Sequence, residues 1–349
     1  MPEITERDLK AQLKEKRFSS LYLIYGDEAY LKQFYAGRIC ERAVDDAMRD
    51  FNFHRFEGKA VDYDALSDAV EAFPMMSERT CVRLKDIPVD ALAQADRDKL
   101  MQILSDIPPT CTVVLWMDTV DVQPKKNAKW RSFIKDITPY ADLLALDRRG
   151  RSDLVKLIRG GAEKRGCSIS ADTAAYLVSL TGDDLTNLLK ELEKLCAYKG
   201  AGEITPQDVD AVAVRTVEAV VFDLSKAMFA REGARAFSIL ALLLRQKTEP
   251  TAILGALIAC YVDIYRVKVF ALSGGRPEDA ASVFNYKGKE FRLRNAARDG
   301  RQMSVQDVRR CLDILYNCDK NLKGSGTDAR LLLEKCVTEL MLVQHSART

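Results

Sequence analysis

The stretch that decides the fold is Leu21-Tyr22-Leu23-Ile24-Tyr25-Gly26-Asp27-Glu28-Ala29-Tyr30-Leu31-Lys32-Gln33. Its first five residues are apolar, aromatic or β-branched and end at Gly26, which is typical of a buried strand. Apolar residues then recur at helical spacing, at Leu31, Phe34, Tyr35 and Ile39. A strand that turns into a helix in this way is where a nucleotide-binding α/β domain would hold phosphates.

The phosphate-loop pattern G-x-x-x-x-G-K-[ST] fits this stretch only in part, since Lys32 matches and its neighbours do not. Leu31 replaces the glycine that lets backbone amides approach phosphate, and Gln33 replaces the hydroxyl that holds magnesium. We expect Asp27 to cap the helix and Glu28 to lie in its first turn, where carboxylates repel a phosphate. The stretch predicts a nucleotide-type fold without nucleotide chemistry, or an ordinary strand–helix unit with a chance lysine match.

An ATPase of this fold also needs two acids after a strand, one for magnesium and one to orient the attacking water. The candidate strand ends, Leu84-Lys85-Asp86-Ile87 and Trp116-Met117-Asp118-Thr119, each contain one acid and no following glutamate. Since two independent requirements fail, we expect no intrinsic ATPase activity and no cofactor.

The composition is that of a globular chain of two or three domains, with 349 residues of which 47% are hydrophobic. Because 53 basic and 51 acidic side chains nearly cancel, any contact with nucleic acid must depend on local patches. The nine cysteines contain no C-x-x-C pair, and the N-terminus has no signal-peptide pattern, so we expect a cytoplasmic location. No segment approaches the ~20 apolar residues of a membrane span. The two histidines, His54 and His345, have no metal-ligand or triad spacing, and we expect no metal site.

Strand-like and helical runs alternate up to about residue 146. The predicted strands are 22–25, 52–56, 81–84, 110–117 and 143–146, and the predicted helices are 30–49, 63–72, 91–105 and 129–136. This alternation predicts right-handed crossovers and a mostly parallel sheet covered on both faces. The first predicted domain is therefore an α/β domain at 1–147.

The strand signal disappears after Arg148-Arg149-Gly150-Arg151, and only helices are expected beyond it. A small helical domain is predicted at 148–213, with Ser152, Ser170 and Thr205 as candidate helix caps. An all-helical domain is predicted at 214–349, and its long helices are expected at 221–230, 233–246, 250–272, 304–322 and 327–345.

Several segments occur in an order and at a spacing typical of one family. They are 21–28 with Tyr30-Leu31, 182–185 with 191–195, 204–209 with 221–224, and 319–323 with 331–334. Together they resemble the delta subunit of the bacterial DNA polymerase III clamp loader over nearly the whole chain. The resemblance implies an AAA+-like module that has lost its nucleotide site, followed by a small helical lid domain and a helical collar domain.

The resemblance also implies a function that the composition alone does not supply. A delta subunit is non-catalytic, binds the ring-shaped sliding clamp (the beta subunit) and opens it for loading onto primed DNA. The implied partners are that clamp, the tau or gamma and delta prime subunits, and primer–template DNA within the complex, with no membrane. Two other hypotheses stay open, an active AAA+ NTPase in which Lys32 still reaches a phosphate, and a helical scaffold with a different partner.

In the delta family, the segment that matches Ala72-Phe73-Pro74-Met75-Met76-Ser77-Glu78-Arg79 provides a hydrophobic wedge for a pocket on the clamp. Position by position, the wedge falls on Phe73, Met75 and Met76. Pro74 ends the preceding helix and keeps Phe73 extended, so that apolar side chains can gather at an exposed turn. The alternative is that Phe73 and Met76 close the bottom of the domain.

A second candidate site is a basic segment between residues 287 and 301, which contains six basic residues and two acids. The predicted DNA-binding residues are Lys287, Lys289, Arg292, Arg294 and Arg298. Phe284 and Tyr286 lie just before them, and aromatic side chains beside basic ones can stack on an unpaired base. The alternative is a solvated helix face.

Overall fold

A five-stranded sheet forms the centre of the first of two units, residues 1–148, and helices make up most of the second, residues 149–349. The computed structural model describes residues 3–58, 61–276, 279–284, 286, 290–324 and 326–346. Within these residues, no helix is long and apolar enough to cross a membrane.

The sheet of the first unit is parallel throughout, with the strand order β2-β3-β4-β1-β5. Its strands are β1 (Leu21–Tyr25), β2 (Phe53–Glu57), β3 (Thr80–Lys85), β4 (Cys111–Trp116) and β5 (Ala141–Ala145). Leu23 of β1 pairs with Leu115 on one side and with Leu143 on the other. Every residue of β1 and β4 is buried, which explains why both strands are continuous apolar runs. The five predicted strands are thereby confirmed.

Helices cover both faces of this sheet. They are α1 (Glu6–Lys14), α2 (Ala29–Ala43), α3 (Arg49–Asn52), α4 (Tyr63–Glu71), α5 (Gln94–Ser105) and α6 (Ala128–Ile137), with a 3-10 turn at Asp46–Met48. α4, α5 and α6 share a core with one face of the sheet, and the largest buried side chain there is Trp130. α2 contacts β3 and β4 from the opposite face. The predicted three-layer arrangement is therefore confirmed.

Several predicted boundaries in the first unit are wrong. The helix predicted at 30–49 ends at Ala43, because Val44 turns to extended backbone and buries its side chain. The cap of α2 is Glu28, and Asp27 lies one residue outside it. The sequence analysis also missed α1, which a reciprocal capping box between Thr5 and Asp8 begins.

The first part of the second unit corrects the expectation that strands stop at residue 148. Its helices are α7 (Arg151–Glu163), α8 (Ala171–Thr181), α9 (Leu185–Lys199) and α10 (Pro206–Val212), and a two-stranded parallel sheet joins β6 (Cys167–Ile169) to β7 (Gly202–Ile204). Strands of three residues are too short to give a periodic signal. Ser170 and Thr205 cap α8 and α10 as predicted, whereas α7 is capped by Gly150 and not by Ser152.

The remainder of the second unit is helical in its described residues. The helices are α11 (Val217–Phe229), α12 (Gly233–Arg245), α13 (Pro250–Leu272), α14 (Ala280–Val283), α15 (Glu290–Asp299), α16 (Val305–Gly324) and α17 (Ala329–Ser346). Leu254, Tyr261, Leu315 and Leu333 lie in their common apolar core. The short helices α14 and α15 were not predicted from the apolar periodicity. The division of the helical part at residues 213 and 214 stays a prediction.

Candidate functional site

Lys32 occupies the position of a phosphate-loop lysine, but its ammonium group is used inside the protein. Nζ donates a hydrogen bond to the backbone carbonyl of Asp118, which follows β4, at 2.9 Å. The residue is only 4% exposed. Burial lowers the pKa of Lys32, and the nearby carboxylates of Asp118 and Asp86 act in the opposite direction. The matching lysine is therefore a structural tie between α2 and the end of β4.

The turn between β1 and α2 is also closed by the protein's own backbone. Gly26 has a φ of +115°, and a Cβ there would lie 2.4 Å from the carbonyl oxygen of Leu146. The amide of Glu28 donates to that same carbonyl at 2.9 Å. Only glycine can take this conformation at so close an approach. The turn therefore holds β5 against β1, and one of its amides is already in use.

Asp86, the single acid after β3, orders the neighbouring loop. Its carboxylate accepts hydrogen bonds from the backbone amides of Asp118, Thr119 and Val120 at 2.7, 2.8 and 3.2 Å. Burial raises the pKa of Asp86, but hydrogen bonds from Thr119 and Val120 outweigh it and keep the pKa below the ordinary value. The carboxylate that an ATPase would direct toward magnesium is thus occupied by backbone donors.

The loop between α4 and β3 presents three large apolar side chains to solvent. Phe73 is 92% exposed, Met75 is 53% exposed and Met76 is 84% exposed. The alternative that Phe73 and Met76 close the bottom of the domain is therefore wrong. Isolated exposed apolar residues are common, but three of them within four positions mark a surface suited to a partner. We refer to these residues as the 73–76 loop.

Buried Asn52 fixes the backbone of this loop. Its amide oxygen accepts from the Met75 amide at 2.6 Å, and its amide nitrogen donates to the Met75 carbonyl at 2.9 Å and to the Met48 carbonyl at 3.1 Å. Met76 follows with a φ of +48°, a left-handed conformation that is strained for a residue with a side chain. Sequence reasoning missed Asn52, since a single asparagine before a strand gives no signal of a contact with a distant loop.

The end of the loop that leads into β3 is fixed by Arg79. Its Nη1 donates to the Thr112 hydroxyl of β4 at 2.8 Å, and its guanidinium lies 5.1 Å from the centre of the Phe18 ring. The backbone is therefore fixed at Met75 and again at Arg79, while the apolar side chains of the loop stay in solvent. This is the arrangement of a rigid hydrophobic anchor.

The arginines in the basic segment of the second unit are not all free to contact DNA, since some of them pair with acids of the protein. The Arg292 guanidinium pairs with the buried carboxylate of Asp263 at 2.8 Å, and Tyr286 is buried and donates its hydroxyl proton to the same carboxylate. Arg298 pairs with the neighbouring Asp299 at 2.9 Å. Tyr286 is therefore unable to stack on a base, which corrects that part of the prediction.

Arg294, another predicted DNA-binding residue, is exposed on α15 and forms no ion pair with the residues that the structure describes. The pKa of Arg151 on α7 is lowered, mainly by burial and in addition by the positive charge of Arg294. Lys287 and Lys289 lie outside the described residues. Among the described residues, no three His, Cys, Asp or Glu side chains are grouped as metal ligands.

Two family models match this chain, one in each unit. The model described as DNA polymerase III, delta subunit, matches residues 22–137, and the model described as DNA polymerase III delta subunit, C-terminal domain, matches residues 218–340. Together they match well over half of the chain. The chain belongs to the DNA polymerase III delta subunit family.

Individual members of this family are similar along most of their length. The DNA polymerase III subunit delta of Bacillus subtilis strain 168 is 27% identical over 342 residues, which are 96% of each chain. A probable DNA polymerase III subunit delta of Aquifex aeolicus strain VF5 is 20% identical over 264 residues, 75% of this chain and 67% of that protein. The solved structure of the Bacillus subtilis DNA clamp loader delta protein (YqeN) matches with a TM-score of 0.69 and 25% identity, covering 96% of this chain and 99% of that chain.

These findings confirm the predicted family, and the structure confirms the predicted fold class of a parallel-sheet α/β domain followed by a mainly helical part. At the level of the family, they also confirm a clamp-loader delta subunit of DNA polymerase III. Family membership favours this function over a helical scaffold with an unrelated partner. The residues assigned to the clamp and to DNA stay predictions.

Proposed function

We propose that this protein is a non-catalytic clamp-loader subunit that binds the sliding clamp through the 73–76 loop and opens the ring for loading onto primed DNA. The observation that supports this proposal is the combination of exposed side chains and fixed backbone in that loop. Phe73 and Met76 are largely in solvent, while two hydrogen bonds with the Asn52 side chain hold the backbone of Met75 between them. Such an anchor binds without a large ordering cost.

The side chains of the loop suit a concave apolar pocket. Phenylalanine provides a large rigid area, and methionine is unbranched and adapts to the shape of a partner. Burying one such side chain contributes about 1.5–3 kcal/mol, and a hot-spot residue contributes about 2 kcal/mol or more. Two or three such residues can therefore provide much of the binding energy of a complex with the clamp.

Opening of the clamp is proposed to depend on binding and not on ATP chemistry in this subunit. Lys32 and Asp86, which an ATPase would direct toward nucleotide, are engaged with the backbone around Asp118. Hydrolysis is therefore assigned to sister subunits of the tau or gamma type. This division also sets aside the active NTPase alternative, which needs Lys32 to reach a phosphate.

The second unit is proposed to assemble with those subunits and with delta prime. α16 and α17 present exposed apolar side chains, with Tyr316 67% exposed, Leu331 58% exposed and Leu342 59% exposed. Exposed apolar residues on long helices are suited to helix–helix contacts with neighbouring subunits. Primer–template DNA is proposed to contact the basic segment through Arg294, Arg298, Lys287 and Lys289, with Arg292 in a supporting position.

The test of the proposed function is clamp binding by the Phe73→Ala/Met75→Ala/Met76→Ala variant. We expect an affinity loss of at least a hundredfold with an unchanged melting temperature, because these side chains contribute to the interface and not to the core. Leu272→Ala, which truncates an apolar residue that is 75% exposed on α13, serves as the control and should bind normally. A folded triple variant that binds the clamp as the wild type does would refute the proposal.

A further inference from the structure

Three arginine side chains surround one aromatic ring at the edge of the sheet in the first unit. The guanidinium carbons of Arg49, Arg55 and Arg83 lie 4.6, 4.9 and 5.7 Å from the centre of the Phe53 ring. Arg55 of β2 stands directly opposite Arg83 of β3 in the strand register. Two like charges in this position repel each other. We refer to Arg49, Arg55 and Arg83 as the arginine cluster.

The cluster has little compensating negative charge. Arg49 has one acidic partner, Asp46, at 3.6 Å, and the Asp46 side chain is 94% exposed. In the part of the chain that the structure describes, Arg55 and Arg83 form no ion pair. Two residues further along the same strands the charge is balanced, because Lys85 pairs with both Glu57 and Asp118 at 3.1 and 3.4 Å.

The guanidinium groups of the cluster lie close to aromatic rings, which do not accept hydrogen bonds from the guanidinium N–H groups in the way that an oxygen does. Besides Phe53, the Trp116 ring lies 5.6 Å from the Arg83 guanidinium. A guanidinium has five N–H donors, and no hydrogen bond from this cluster to a protein acceptor occurs among the described residues. An open cavity of about 420 Å³ lies beside the ring, and Arg49, Phe53 and Arg55 line it together with one exposed acid, Asp50, and with His54 and Phe56. The cluster thus combines accessible space, positive charge and unused donors.

The segment that begins the arginine cluster also positions the 73–76 loop. Asn52, whose side chain binds the backbone of Met75, lies between Arg49 and Phe53 in the chain. Phe51, its neighbour on α3, is 60% exposed. The same short segment therefore positions the apolar loop, presents another apolar side chain and begins the arginine cluster. A partner that receives the loop also faces this segment.

We propose that the arginine cluster extends the clamp-binding surface and pairs with carboxylate side chains that border the apolar pocket of the clamp. This inference rests on the proposed function. Carboxylates match the planar, two-pronged geometry of a guanidinium, and pairing with them removes the repulsion between Arg55 and Arg83. The apolar neighbours, Phe51 and the 73–76 loop, favour a protein partner over a nucleic-acid backbone.

The test compares association with the clamp for the wild type and for Arg55→Glu/Arg83→Glu at low and high salt. We expect the association rate constant of the variant to fall about tenfold or more at low salt, with a smaller difference at high salt, because screening weakens interactions between exposed charges. Arg55→Lys/Arg83→Lys keeps the charge and should retain most of the rate and the salt dependence. Replacing Arg83 also removes its contact with the Trp116 ring. The single variant Arg55→Gln is therefore included, because it leaves that ring contact intact.

Arg7→Glu is the control for charge reversal at a distant site, and it is compared with the single variant Arg55→Glu, which changes the net charge by the same amount. Arg7 is exposed on α1, and the segment before α1 is bonded to β5 at the edge of the sheet opposite to β2. This variant should associate with the clamp at the wild-type rate. An equal loss of rate for Arg7→Glu would show that only the overall charge matters, and it would overturn the inference.

The remaining outcomes separate this inference from the proposed function. If the triple alanine variant of the 73–76 loop loses clamp binding while Arg55→Glu/Arg83→Glu binds with wild-type rate and salt dependence, only the arginine cluster has been misassigned. If the triple alanine variant binds normally, the proposed function fails. If the double glutamate variant binds the clamp normally but loses affinity for primer–template DNA, the cluster contacts phosphate and the inference is wrong.

Discussion

The side-chain amide of Asn52 forms two hydrogen bonds with the backbone of Met75, although 23 residues separate them in the sequence. Asn52 is fully buried, and Met75 lies in the exposed loop between α4 and β3. A buried side chain of the first unit therefore determines the backbone conformation of a loop whose own apolar side chains are exposed. This relationship makes the clamp-binding prediction specific.

Asn52→Ala should weaken clamp binding about tenfold or more, because Met75 loses both bonds and the apolar side chains lose their fixed arrangement. Stability should fall by about 1–3 kcal/mol, as expected when buried hydrogen bonds are lost. The control is Asn127→Ala, which removes the cap of α6 and costs about 1 kcal/mol without touching the loop. A similar loss of clamp affinity in both variants would indicate general destabilisation. Titration calorimetry and urea unfolding provide the two measurements.

Met76→Gly should separate the contribution of the Met76 side chain to binding from the effect of its strained backbone on stability. Glycine adopts a φ of +48° without strain, so the melting temperature should stay the same or rise slightly. Clamp affinity should fall because the apolar side chain is lost, and Met76→Leu should retain most of it. Wild-type affinity for Met76→Gly would exclude Met76 from the interface.

Lys32→Ala should leave nucleotide behaviour unchanged and lower stability. Titration calorimetry with millimolar Mg-ATP should give no binding heat for either the wild type or the variant, since Lys32 is bonded to the Asp118 carbonyl. The unfolding free energy should fall by about 1–3 kcal/mol because this half-buried carbonyl loses its donor. ATP binding by the wild type that Lys32→Ala abolishes would revive the NTPase hypothesis.

Arg292 and Arg294 should behave differently although they lie on the same helix. Arg292→Ala should cost on the order of 3 kcal/mol, because it leaves the buried Asp263 carboxylate without its ionic partner. Arg294→Ala should change stability by less than about 0.5 kcal/mol, since the residue is exposed. Arg294→Ala should instead reduce DNA-dependent loading of the clamp and the steepness with which DNA affinity falls as the salt concentration rises. An unchanged salt slope for Arg294→Ala would favour a solvated helix face.

Two buried tyrosines should make the first unit sensitive to high pH. Burial is the main cause that raises the pKa of Tyr25 and of Tyr35 to about 12, from an ordinary value of 10.0. The folded state therefore favours the neutral phenols, and their contribution to stability is complete below pH 10 and is lost as the pH rises through 12.

Urea unfolding across this pH range should show a smaller loss of stability for Tyr25→Phe/Tyr35→Phe than for the wild type. Burial lowers the pKa of Lys32, which acts in the opposite direction, but this contribution is common to both proteins and cancels in the comparison. Tyr198→Phe, at a tyrosine that is 62% exposed, is the control and should keep the wild-type slope. Equal slopes for the wild type and the double variant would contradict the prediction.

The sequence was sufficient where a single segment dictates its own structure. β1 and β4 are continuous apolar runs because both faces of a parallel strand are buried, and that pattern is visible without coordinates. The capping box of Thr205 and Asp208 likewise begins α10 through bonds between residues three positions apart. The loss of phosphate-loop residues around Lys32 was visible for the same reason.

What the sequence determined by itself was therefore the order of the five strands in the first unit, the absence of a complete phosphate loop and the position of the apolar segment at residues 73–76. Only the tertiary structure decided which side chains are available to a partner. In the folded chain Tyr286 is buried and Arg292 pairs with Asp263, whereas Phe73 lies in solvent. The tertiary structure also brought Asn52 to Met75 and Arg83 to Arg55. The physical reason is that burial and ion pairing depend on contacts between distant segments, whereas periodicity and capping depend on neighbours within a few residues.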